Sequence, residues 1–272
     1  MHPGALARIA DALALDRTSD GPPDAARLSA AMRSALDARA TATVEAILGW
    51  GLGLLAGELA PGQISAAWLG RFARFAGEAE THAQRYLWAR LLALELLRPG
   101  TIHPRTLSVL DGLDDAGIGV LNRIARLSCA DFIVKTDEHL LESRQLGLAE
   151  IDLAIEAGLL HHDMGRAKVF GSQQEDSFIA HVPYREKILR VTHPLPQRTL
   201  TLPVVRLTRA GADLAHANVV EEDFDYVMRI TRFIRAAGYK VSHAAVAGRD
   251  ADPSVIRHYG FTEIVPLSPT RR

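Results

Sequence analysis

One cysteine, Cys129, stands in 272 residues. No internal disulfide is therefore possible, and the common zinc frameworks, which need several thiolate or imidazole ligands, are excluded. A single thiol fits a reducing cytoplasm, and the chain is expected to be cytoplasmic. Long apolar runs are also missing. The most apolar stretch, Ala46 to Ala60, is broken by Gly49, Gly51, Gly53, Gly57 and Glu58, and it falls short of the roughly 20 residues a membrane span needs. No membrane partner is expected. Arg8 and Asp11 interrupt the Ala/Leu pattern at the N-terminus, which reads against a secretory leader. Excess charge of either sign is absent: 31 basic residues face 32 acidic ones, for a formal net charge of -1. Nucleic-acid binding would then require a local basic patch. What is present is a hydrophobic fraction of 48%, enough for one large core or two small ones.

Periodicity divides the chain in two. The first half reads as helices: a short one up to Arg17, a linker at Thr18 to Pro23, and an Ala-rich helix capped by Asp24 and running to about Leu48. Leu59-Ala-Pro-Gly62 breaks the pattern. Trp68, Leu69, Phe72 and Phe75 then space as one helical face. Thr81 caps a long helix ending near Arg98, His103-Pro104 opens another, and Asp114 or Asp115 starts a third through Leu127. After Cys129 the pattern becomes mixed. A strand at Phe132 to Val134 and a helix at Leu146 to Ala157, closed by Gly158, precede β-like runs at Val169-Phe170, Phe178 to Ala180, Ile188 to Val191 and Leu202 to Leu207. Helices follow at Thr208 to Leu214 and Glu221 to Ala236. Tyr239 to Val246 reads as a strand, Pro253 to Tyr259 as a short helix, and Thr262 to Leu267 as a last strand. The expected class is α+β, mainly α, with a helical bundle over 1–130, a winged-helix-like segment over 131–218 and an α/β extension over 219–272.

The winged-helix expectation rests on an order of elements: helix, turn, helix, then a hairpin and Leu207-Thr-x-x-Gly211. Ala149 to Leu159 would be the second helix, and Lys168 to Leu207 the wing. Such a helix can enter a major groove while the wing reaches phosphate. Arg185, Lys187, Arg190, Arg198, Arg206 and Arg209 form a basic run with Glu186 as the one acid between them, a candidate nucleic-acid contact. Against it, the second helix carries Glu150, Asp152 and Glu156 and no Lys or Arg. Winged helices also serve as protein-contact modules.

Reactive constellations are weak. His161-His162-Asp163 resembles a metal motif, yet adjacent side chains of an extended segment point to opposite faces. The glycines from Gly49 to Gly57 lack the strand before and helix start after that a phosphate fingerprint needs, so close helix packing or a kink is the reading. Cys129 has no evident partner base. Glu78, Glu80 and His82 suit a helix start. Val255 to Val265 faintly resembles the closing segment of acetyltransferases, without their Gly-rich loop. No catalytic residue, metal site or cofactor is expected.

The densest signal is Trp68-Leu-x-Arg-Phe72, then Leu87-Trp-Ala-Arg-Leu-Leu-Ala-Leu-Glu95, then Pro99-Gly-x-x-x-x-Arg-Thr-Leu107. This pattern resembles the bacterial family called domain of unknown function 2806, over about Ala42 to Leu214. The chain departs from it at Leu94, where the family often has Gly, and at Ile102-His103, where it often has Phe-Ser. A looser Trp-Ala-x-Leu-Leu-Ala pattern is similar to alpha-type abortive-infection proteins, which implies a link to phage defence. The family has no established activity, so the resemblance implies no catalytic residue. Physically, Trp88, Leu91, Leu92 and Leu96 are expected to bury against the Trp68-Phe72-Phe75 helix. Arg90 and Glu95 cannot be buried unpaired. They are expected to meet backbone ends or Arg105 around the Pro99-Gly100 turn, fixing an inter-helix corner or lining a partner pocket. The functional expectation is a non-catalytic interaction module acting on a protein partner or as a homodimer. The alternatives are a DNA-binding regulator and an enzyme with an unrecognised site.

Overall fold

The computed structural model describes residues 25–55, 62–137, 139–163, 165–172, 174–249, 256–258 and 260–263. Its first half is helical: α1 (Ala25–Gly53), α2 (Ala66–Ala76), α3 (His82–Leu97), α4 (Pro104–Asp111) and α5 (Asp115–Leu127). Then come β1 (Ser128–Cys129), β2 (Phe132–Val134), α6 (His139–Glu142), α7 (Leu148–Glu156), β3 (Arg166–Phe170), β4 (Phe178–Tyr184), β5 (Lys187–His193) and β6 (Leu200–Arg206). The chain continues with α8 (Arg209–Ala217), α9 (Phe224–Ala236), β7 (Lys240–Arg249), β8 (Ile256–His258) and β9 (Thr262–Glu263). The class is α+β, mainly α. The expected helix before Arg17, the linker at Thr18 to Pro23, the Asp24 cap and most of the Leu59 to Gly62 break lie outside the described residues.

Local chemistry starts the helices where expected. Thr81 and Gln84 form a reciprocal capping box on α3. Pro104 takes the first position of α4 behind His103, Asp114 accepts from Gly117 N–H at 2.8 Å, and Thr208 accepts from Gly211 N–H at 2.9 Å. α1 runs past the expected end at Leu48, through Gly49 and Gly51 to Gly53. A Cβ on Gly51 would stand 3.0 Å from Leu92 Cδ2 and 3.2 Å from the Ala89 carbonyl oxygen, so this glycine lets α1 and α3 approach closely. On α2, Trp68 and Phe72 are buried and Phe75 half-buried, but Leu69 is 40% exposed. Position 69 lies a quarter-turn off the 68–72–75 stripe and faces out. α9 begins three residues after the expected Glu221, because Asp223 accepts from Tyr226 N–H at 2.8 Å and caps the helix there.

The strands sort into two antiparallel sheets. The first has the order β1-β2-β6-β3, with Ile133 opposite Val205 and Lys168 opposite Leu202. The second has the order β4-β5-β7-β8, with β9 also on β7. The stretch Lys168 to Leu207 is thus not a single wing. Its outer strands β3 and β6 pair with each other, while β4 and β5 leave to form a hairpin that β7 extends. Ile256–His258 pairs with β7 as a strand, where a short helix is expected from sequence. A ladder partner overrides local propensity there.

A continuous hydrophobic cluster joins the halves, running from Ile47, Trp68 and Trp88 to Tyr226 and Val241. α8 stands at the junction and packs on α3, α4 and α5. Its first turn touches the end of α7: Thr208 Oγ1 donates to the Gly158 carbonyl at 2.6 Å, and Thr208 N–H donates to the Leu159 carbonyl at 3.0 Å. At Gly211 a Cβ would fall 2.0 Å from the Leu159 oxygen, an overlap with backbone that no rotamer relieves. Gly211→Ala is therefore expected to destabilise the fold by about 3 kcal/mol, read as a lowered denaturant midpoint. Gly119→Ala on α5, where a Cβ meets nothing within 4 Å, should instead add up to about 1 kcal/mol.

Candidate functional site

The Trp88-to-Gly100 motif folds into a corner between α3 and α4. Trp68 stacks on Phe72 with ring centroids 5.3 Å apart, and Phe72 meets Trp88 edge-on at 5.5 Å. Trp68 Nε1 donates to the Ile102 carbonyl at 3.1 Å. Leu91 and Leu92 are buried on the same helix and Leu96 half-buried. Pro99 and Gly100 end α3, with Gly100 in the left-handed region at φ +85, where glycine is favoured.

Glu95 is only 2% exposed. Its two oxygens accept separately, from Gly100 N–H at 2.7 Å and from Ile102 N–H at 2.8 Å. A second carboxylate, Asp213 on α8, secures two further residues of the turn. It accepts from His103 N–H at 3.1 Å and from Thr106 Oγ1 at 2.7 Å. Arg209 donates to Asp213 at 2.9 Å and to the Thr101 carbonyl at 2.7 Å. Two acids and one guanidinium thus satisfy the turn from Gly100 to Thr106.

Arg90 does not join Glu95. It donates to the Ala217 carbonyl, at the C-terminus of α8, at 3.1 Å. Arg105 is exposed on the first turn of α4. Pairing of Arg90 and Glu95 with backbone ends is what the structure shows. A hollow of about 480 Å³ opens beside the corner, lined by Trp68, Arg71, Glu95, Pro99, His103 and Arg209 among others. Each Glu95 oxygen is already engaged by one backbone donor.

The six residues of the basic run are dispersed. Arg185, at the β4–β5 turn, donates to the carbonyls of Ala125 (3.2 Å), Ala215 (3.1 Å) and Asn218 (2.8 Å), tying the ends of α5 and α8 together. Burial lowers its pKa from the usual arginine range. Lys187 pairs with Glu222. Arg190 lies over the Phe261 ring at 4.2 Å, and Arg198 over Tyr239 at 5.9 Å. Arg206 is exposed at the end of β6, and Arg209 belongs to the corner.

Cys129 is wholly buried. Burial pushes its thiol up to about 12, against a hydrogen bond with Tyr226 that pulls the other way. Tyr226 itself bridges to β2: its hydroxyl accepts from Val134 N–H at 2.7 Å. Among the described residues, no group of three or more His, Cys, Asp or Glu is placed to hold a metal ion. His161 and His162 are exposed, and Asp163 pairs with Arg166.

Asp213 and its hydroxyl partner Thr106 are the residues the sequence does not announce. The available signal is a lone acid among the buried Ala210, Leu214 and Ala217 of one helix. A charge on an apolar face calls for a partner.

Residues 29–150 match the model of the family described as protein of unknown function (DUF2806). The match begins before Ala42 and ends near the start of α7, well short of Leu214. No curated protein and no solved structure matches the chain.

Two outcomes are expected. Glu95→Gln puts an amide NH2 where an acceptor is needed and should cost about 2 kcal/mol, with an unchanged denaturant slope. Native Cys129 should resist alkylation by iodoacetamide at pH 8 and react fully once the chain is unfolded, as followed by mass spectrometry.

Proposed function

We propose that the chain is a non-catalytic protein-interaction module built on a winged-helix-type frame. The connectivity supports the frame. α5 leads into β2, then α6 and α7, then β3 and β6, and β6 lies between β2 and β3 in the sheet. The proposed module is the segment 131–218 packed on α5, with the helices before it as scaffold. β7, β8 and β9 complete the second sheet.

The observation that carries the reading is the outer face of α7. Leu148 is 78% exposed, Asp152 and Glu156 are exposed beside it, and the helix holds no Lys or Arg. Carboxylates facing duplex phosphate repel it. An exposed leucine flanked by acids suits a protein surface with an apolar dimple and basic rim. The partner is another protein or a second copy of this chain. A cytoplasmic bacterial setting, regulatory or tied to phage defence, belongs to the same proposal and rests on the sequence resemblances.

The test is affinity purification from the native host, comparing the natural chain with a Leu148→Lys, Asp152→Lys variant. A protein that survives high salt on the natural chain, ignores nuclease and is lost from the variant is the expected result. Duplex DNA that is retained at low salt, falls off steeply as salt rises and is lost on Arg190→Ala plus Arg198→Ala would overturn the proposal in favour of a DNA-binding regulator.

A further inference from the structure

A second hollow, of about 250 Å³, lies between the end of α5, the α6–α7 turn and the start of α9. Three guanidiniums line it: Arg123 and Arg126 from α5, and Arg144 from the turn. One carboxylate, Asp223, faces them and is already engaged. It accepts from Arg144 Nε at 2.8 Å and from Tyr226 N–H at 2.8 Å. Arg144 also donates to Asp225 at 2.7 Å, so its charge is balanced within the chain.

Arg123 and Arg126 have no side-chain hydrogen bond or ion pair among the described residues, and Arg123 is half-buried. The two are three residues apart on one helix and so sit side by side. Like charges at that spacing repel, and partial burial of a guanidinium without a partner adds a desolvation cost. Asp223, the one carboxylate lining the hollow, is hydrogen-bonded to Arg144 and Tyr226 rather than to either of them, whereas a dianion between them would offset both terms. The Gln145 amide adds a neutral donor to the rim, while the Ser143 hydroxyl is engaged within the chain, donating to the Leu140 carbonyl at 3.0 Å and accepting from Arg144 at 2.9 Å.

We propose that this hollow binds a phosphate monoester. A phosphoryl group brings close to two negative charges and three acceptor oxygens, and guanidinium forks match it in pairs. The volume decides the size class. Sites for drug-sized ligands begin near 300 Å³, so this one holds a phosphoryl group on a short stem, not a nucleotide. The source is either a small free phosphate compound or a phosphorylated side chain on a peptide.

The test uses the full chain, titrated calorimetrically at constant ionic strength with inorganic phosphate, with a short phosphoserine peptide and with its unphosphorylated form. Saturable binding of inorganic phosphate is expected. Much tighter binding of the phosphopeptide than of inorganic phosphate assigns the source to a peptide, and equal binding assigns it to a small compound. Arg126→Gln, an exposed change, should weaken binding about tenfold, the loss of one charge-assisted hydrogen bond. Arg123→Gln should do the same with helical content unchanged. Arg190→Gln, on the far sheet, should leave binding as it is. Two results would overturn the proposal: no saturable response to phosphate beyond that of matched chloride, or an affinity that Arg126→Gln and Arg123→Gln leave unchanged.

Discussion

Two buried carboxylates hold the turn from Gly100 to Thr106, and the rest of the structure depends on them. Glu95 comes from α3 and Asp213 from α8. A helix corner leaves backbone N–H groups without partners, and here Ile102, at the middle of the turn, is buried, where water does not supply its N–H. Each acid is tolerated inside because donors surround it, and each donor is tolerated because an acid is there. The corner fixes the angle between α3 and α4, and through Asp213 it fixes where α8 must lie.

α8 is then the shared wall of both halves. Its start sits on Leu159 by way of Thr208 and Gly211, and its end is closed by Arg90 and Arg185. Carbonyls at a helix C-terminus carry partial negative charge, so two guanidiniums there act favourably on the dipole as well as on the individual oxygens. Arg185 reaches α5 in the same gesture. Arg185 and Arg209, which read as part of a basic patch in sequence, are in this way structural ties.

Legibility from sequence followed range. Thr81, His103-Pro104, Asp114 and Thr208 announce helix starts, because a cap acts on N–H groups two or three residues away. The Trp-to-Gly motif announces a corner and a need for backbone partners at Glu95. Asp213 was not legible as its other half, since its partner Thr106 is 107 residues distant. The β-runs at Val169, Phe178, Ile188 and Leu202 were each visible as strands, but period-two patterns do not say which strand pairs with which. The split of β4 and β5 away from β3 and β6, and the conversion of Ile256–His258 to a strand, are set by β7. No local signal near residue 180 reports it.

That arrangement has a consequence for biogenesis. β5 lies inside its sheet, between β4 and β7, yet β7 is made only after β6, α8 and α9. While the chain emerges from the ribosome, the β4–β5 hairpin carries an open edge with Leu189 and Val191 uncovered. The growing chain must keep that edge from pairing with a neighbour until Lys240 onward is synthesised. Closure of the second sheet therefore waits on β7 and follows the synthesis of α8 and α9.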